Sequence, residues 1–107
     1  MSILGTWDLT VRTPIGSLAV VYTFTETAGT VRGTAAGKGE TVTVTDIAIE
    51  ETSAGSHVTW RQSVTTPIRL NLDFDVTTAG DELTGHSRAG RLPRSGVTGI
   101  RRTAAGD

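Results

Sequence analysis

Two stretches of this chain match each other. Thr6-Trp7-Asp8-Leu9-Thr10-Val11-Arg12-Thr13-Pro14-Ile15 and Thr59-Trp60-Arg61-Gln62-Ser63-Val64-Thr65-Thr66-Pro67-Ile68 agree at six of ten positions. The register continues downstream: Thr27-Ala28-Gly29 falls against Thr78-Ala79-Gly80, Gly33 against Gly85, Gly37 against Gly90, and Val44-Thr45-Asp46-Ile47 against Val97-Thr98-Gly99-Ile100, at an offset that stays between 51 and 53. Tryptophan and proline, with two and three copies in the chain, recur at the shared spacing. That favours duplication of one unit over chance likeness among Thr- and Gly-rich segments. The halves run from about 5 to 52 and from about 58 to 103 within one domain, 1–107.

Each half reads as four strands. Apolar Trp7, Leu9 and Val11 alternate with Asp8, Thr10 and Arg12, and Pro14-Ile15-Gly16 interrupts the pattern. Leu18, Val20, Tyr22 and Phe24 then alternate with smaller or polar residues up to a turn at Glu26-Thr27-Ala28-Gly29. Val31, Gly33 and Ala35 make a weaker third strand, and a fourth runs from Val42 to Ile49 with its phase slipping by one near Thr45-Asp46, as a β-bulge would make it. In the second half Val58, Trp60, Gln62 and Val64 share a face, with His57 placed just before that strand. After Thr66-Pro67, Ile68, Leu70, Leu72, Phe74 and Val76 oppose Arg69, Asn71, Asp73 and Asp75. A short strand spans Leu83 to Ser87 and a last one Gly96 to Arg102. Twenty threonines, ten valines and 13 glycines suit half-wet strands joined by tight turns.

The expected fold is therefore all-β: an antiparallel up-and-down barrel of about eight strands, made of two repeated four-strand halves. Closure removes the edges that each half would otherwise expose. A two-sheet sandwich is the alternative. The inward residues expected from alternation are Trp7, Leu9, Val11, Leu18, Val20, Tyr22, Phe24, Val31, Val42, Val44, Val58, Trp60, Gln62, Leu70, Leu72, Phe74, Leu83 and Val97. Gly33 and Gly85 either leave space inside the barrel or permit sharp bending.

An eight-strand barrel is just wide enough to be filled by side chains or to hold one small ligand. On the hollow reading, Trp7, Leu9, Val20, Tyr22, Phe24, Trp60, Gln62, Leu72 and Phe74 line a site for a small apolar or aromatic molecule. An isomerase- or cyclase-type enzyme on that scaffold would use Tyr22 and Arg101 as its catalytic groups. On the filled reading, Tyr22 and Gln62 are core hydrogen-bonders and the chain is an interaction module, a homodimer for example, with Ala19, Val21, Ile47 and Ile49 as its outer apolar patch.

Other chemistry finds little support. With no cysteine, two histidines and no ligand spacing, a metal site is not expected, nor is a cofactor. Asp73 and Asp75 share a face, as alternate residues on a wet strand do. Gly37-Lys38-Gly39 lacks the spacing of a phosphate loop. A formal charge of −1 with interspersed signs, and aromatics that all point inward, argue against nucleic acid. Without a basic segment followed by an apolar run at Met1–Gly5, or any apolar stretch near the roughly 18 residues of a membrane span, no membrane is expected and the cytoplasm is the expected location.

Gly5-Thr6-Trp7 on the first strand, with Arg101 or Arg102 on the last, resembles the calycin arrangement of lipocalins and avidins. The resemblance implies a tryptophan closing one barrel end with a late arginine packed across it. It departs from the lipocalins in lacking a disulfide, a secretion signal and long lid loops, and none of avidin's ligand-binding set is matched. Intracellular barrels such as the fatty-acid-binding proteins and small cyclases share the general pattern.

Overall fold

A computed structural model describes residues 3–13, 16–37, 39–64 and 70–102. Eight strands follow in chain order: β1 (Gly5–Thr13), β2 (Gly16–Thr27), β3 (Thr30–Gly37), β4 (Glu40–Thr52), β5 (Gly55–Val64), β6 (Leu70–Ala79), β7 (Glu82–Arg88) and β8 (Ser95–Arg101). Each pairs antiparallel with the next, and β1 pairs with β8 from Trp7–Arg101 to Arg12–Gly96, closing the barrel. The sandwich alternative is thereby excluded. No helix among the described residues is long and apolar enough to cross a membrane. The breaks at Pro14-Ile15 and Thr66-Pro67, together with Lys38, Ile68 and the side chain of Leu70, lie outside the described set.

Alternation does what the pleat requires of it. Trp7, Leu9, Val11, Tyr22, Phe24, Val44, Val58, Trp60, Gln62, Phe74, Leu83 and Val97 are buried inside, with Val20, Val31, Val42 and Leu72 partly buried against them. Leu18 departs from expectation: it shares the inward face but lies 37 % exposed at the rim. Val76 is buried on the face it shares with Leu72 and Phe74, as the alternation predicts, and Ala35 lies buried on the third strand; Ile3 joins the core unanticipated, because nothing in the alternation extends to it. His57 lies within β5, which begins at Gly55.

The phase slip on β4 is a bulge. The β4–β5 register shifts between Thr45 and Ala48, and Asp46 takes a positive φ of 54°. The shift sets Ile49 opposite Val58 and packs Ile47 against the core. These two isoleucines therefore leave the outer face on which they were expected to join Ala19 and Val21.

The glycines at inward positions leave no space behind. A Cβ on Gly33 would stand 2.7 Å from the Phe24 ring and from Val44, and one on Gly99 would stand 2.7 Å from Leu9. On Gly85 it would meet the Asp75 carbonyl oxygen and the Val76 backbone. Neighbouring chains occupy the room that each absent side chain would have used. Gly33→Ala is expected to cost about 1–3 kcal/mol by overpacking a ring that has some freedom to shift. Gly85→Ala should cost more, since backbone atoms cannot turn aside. Gly96→Ala, with nothing near its Cβ, should stay within about 0.5 kcal/mol of the parent. Urea unfolding midpoints of the three variants check this order.

Candidate functional site

The two ends of the barrel differ. The turn end carries the connections at Ala28–Gly29, Ser53–Ala54 and Gly80–Asp81, the start of β1 and the finish of β8. The loop end is where β1 finishes and β2 starts, and likewise β3 and β4, β5 and β6, and β7 and β8, with the 89–94 connection between the last two. At the turn end Ile3 is fully buried and its carbonyl accepts a 2.8 Å bond from Trp7 Nε1. Arg101 lies over the Trp7 ring with its Cζ 4.3 Å from the centroid. Its guanidinium also donates to the Leu4 carbonyl through Nη1, to Gly80 O at 3.2 Å and to Asp81 Oδ1 at 2.9 Å. Arg101 thus joins the amino-terminal segment to the β6–β7 turn.

Four aromatic side chains fill the middle. Trp60 stacks on Phe74 with centroids 5.0 Å apart and meets Phe24 edge-on at 5.2 Å. Tyr22 contacts Trp60, Phe74 and Phe24 at 5.4, 5.9 and 6.1 Å. Trp7, Tyr22, Phe24 and Trp60 expose at most 1 % of their surface. A side chain with no accessible surface borders no void that water could enter, so this layer is solid at its centre.

Toward the loop end the interior opens. Inward exposure on β1 rises from 0 % at Trp7 through 2 % at Leu9 to 8 % at Val11. On β2 it passes from buried Phe24 and Tyr22 to partly exposed Val20 and then Leu18 at the rim. On β6 it passes from buried Thr78, Val76 and Phe74 to partly exposed Leu72. On β3 and β4 the turn end is less tight, with Val31 and Ile49 also part-exposed. A concavity of about 390 Å³ beside the loop end is lined mainly by the outward-facing Thr45, Arg61, Ser63, Asn71 and Asp73 of β4–β6 and by Gly90, with Gln62 and Leu72 bordering it.

Gln62 is the polar centre of this region. Its Oε1 accepts from the Tyr22 hydroxyl at 2.6 Å and from Trp60 Nε1 at 3.1 Å. Burial drives the Tyr22 phenol well above its ordinary pKa, against the opposing pull of its hydrogen bonds to Gln62 and Trp60. At any ordinary pH Tyr22 is a neutral donor and not a base. It holds Gln62, while Arg101 holds the turn end. The two expected catalytic groups therefore serve different parts of the barrel, even though Trp7 pairs with both across the sheet.

The outer wall of β4–β7 carries a second, polar groove of about 580 Å³ between Asp46, Thr59, Arg61, Asp73, Asp75, His86 and Arg88. Arg61 pairs with Asp73 at 3.1 Å and reaches Asp46 at 3.9 Å. His57 Nε2 lies 2.7 Å from Asp75 Oδ1, and Nδ1 lies 3.8 Å from Glu50 Oε1. No cluster of metal-ligating side chains occurs among the described residues. Comparison with protein-family models, with curated proteins and with solved structures finds no match.

The hydrogen bond to Asp75 raises the His57 pKa above 6.5 against the opposition of burial, and the Asp75 and Glu50 charges add smaller upward contributions. A pKa raised by folding means that the charged pair stabilises fully below the unfolded value of about 6.5 and fades as pH rises through the folded value. Unfolding free energy should therefore fall modestly as pH rises above about 6.5, and the fall should flatten in Asp75→Asn. Chemical denaturation across that range, with an NMR titration of His57, measures both.

Proposed function

We propose that this chain is a small-molecule-binding barrel that seats an apolar or aromatic compound at its loop end, against Leu72, Val20 and Gln62 and above the aromatic layer. The observation that carries the reading is the gradient of exposure along the inner faces of β1, β2 and β6: sealed at Trp7, Tyr22 and Phe74, apolar and partly exposed at Val20 and Leu72, and open at Leu18 on the rim. Partly exposed apolar side chains beside one polar group, Gln62, match the usual make-up of ligand sites. The tryptophan-and-arginine closure of the other end adds the calycin likeness as support. On this reading Trp7, Leu9, Phe24, Trp60 and Phe74 form the floor and its foundation, and ligand contact falls to Val20, Gln62 and Leu72. Turnover of isomerase or cyclase type would draw on the Tyr22 hydroxyl only through Gln62, which makes Tyr22 a positioning residue.

The solid aromatic layer favours a second reading, a filled barrel acting as an interaction module through its outer surface. The experiment that separates the two is a fluorescence titration with N-phenyl-1-naphthylamine, a neutral aromatic probe that brightens when desolvated. Binding at the loop end should be saturable, one to one and in the micromolar range. Leu72→Arg should weaken it at least tenfold while leaving the circular dichroism spectrum unchanged, since a half-exposed position lets the arginine stem lie along the rim. A probe response that never saturates overturns the binding reading and leaves the interaction module.

A further inference from the structure

Gln62 is the chain's sole glutamine, and the orientation of its amide is determined by its neighbours. An indole N–H can only donate, so the amide atom 3.1 Å from Trp60 Nε1 has to be the oxygen. A flipped amide would set an amino group against that donor. The Tyr22 hydroxyl donates to the same oxygen, so both of its lone pairs are engaged. The amino nitrogen, Nε2, then carries two N–H groups on the opposite side. Among the described residues no acceptor takes either of them, although Gln62 is only 6 % exposed. No described side-chain nitrogen or oxygen is sealed away without a partner. Nε2 therefore opens onto accessible space, and Gln62 sits on the inner face at the loop end, paired across the sheet with partly exposed Leu72.

We infer that the ligand bears a carbonyl acceptor, as a ketone, lactone or amide does, and that Gln62 Nε2 donates to that oxygen while the apolar body lies on Leu72 and Val20. The inference rests on the loop-end binding reading above and adds the chemical class of the ligand. Its physical basis is the cost of a desolvated donor: a hydrocarbon that covers Nε2 strips it of water and offers nothing in return, whereas a carbonyl replaces the water it displaces. Tyr22 and Trp60 hold the amide so that its amino group turns away from the aromatic layer, and the donor is oriented before the ligand arrives. An alcohol can accept as well as donate, but its proton would find no acceptor on Gln62, whose oxygen is already saturated.

Two probes of the same shape test this, indan-1-one and indane, each used to displace N-phenyl-1-naphthylamine from the intact chain. The ketone is expected to displace at roughly tenfold lower concentration, the equivalent of one good hydrogen bond. Gln62→Glu keeps an oxygen for Tyr22 and Trp60 but removes both amino donors, and the preference should shrink to about twofold or less. A second readout needs no variant. The chain holds one glutamine and one asparagine, so its nitrogen–proton spectrum contains two side-chain amide pairs, from Gln62 and Asn71. The Gln62 pair should shift with indan-1-one and hold still with indane. Equal displacement by the two probes, or a shift confined to Asn71, overturns the carbonyl assignment while leaving loop-end binding in place. Failure of N-phenyl-1-naphthylamine itself to bind removes both.

Discussion

The ladder between β1 and β8, running from Trp7–Arg101 to Arg12–Gly96, turns a sheet with two open edges into a barrel with none. Every other feature of the molecule answers to that closure. Once eight strands are closed, the interior has a set width, and inward side chains must either fill it or line a space within it. Here they fill the middle and, on β1, β2 and β6, thin out toward the loop end, while Val31 and Ile49 leave β3 and β4 looser at the turn end. Arg101 belongs to the same closure: it continues the β8 ladder, covers Trp7 and ties down the Leu4 carbonyl, so one residue contributes to both the seam and the plug.

Within the filled region the burial of polar atoms is what confers definition. Apolar rings of similar size can repack at modest cost, but a buried phenol and a buried indole N–H each require an acceptor. Gln62 Oε1 supplies both, and Trp7 Nε1 finds the Ile3 carbonyl. These bonds fix which rings stack on which. They also leave the Gln62 amino group turned away from the aromatic layer, so a structural requirement of the core orients that donor.

The outer wall obeys different physics. His57, Arg61, Asp73 and Asp75 are exposed enough for solvent to screen their pairings, and each such contact adds a few tenths of a kcal/mol to about 1 kcal/mol. Their place on neighbouring strands follows from register: Arg61 faces Asp73 and His57 faces Thr77, one step along from Asp75. The wall is polar because alternation puts every second residue there, and its charges modulate stability with pH without determining the fold.

Much of this architecture is legible in the residues. Period-two alternation predicts the eight strands and most of the inward face, and the Thr45-Asp46 phase slip predicts the bulge, because side-chain direction in a strand is a local property of the backbone. The sequence by itself also determined that Trp7, Tyr22, Trp60, Gln62 and Phe74 would face the same interior. It could not say whether they would line a space or consume it, since that depends on how rings from β2, β5 and β6 meet across the barrel. Nor could it reveal that Phe24 lies over Gly33, that Ile3 plugs the turn end, or that Leu18 reaches the rim, which follow from strand tilt and closure. Only the tertiary structure decided that Tyr22 and Trp60 converge on one oxygen of Gln62, because hydrogen bonds between residues 40 positions apart are set by cross-barrel distance, a quantity that alternation does not contain.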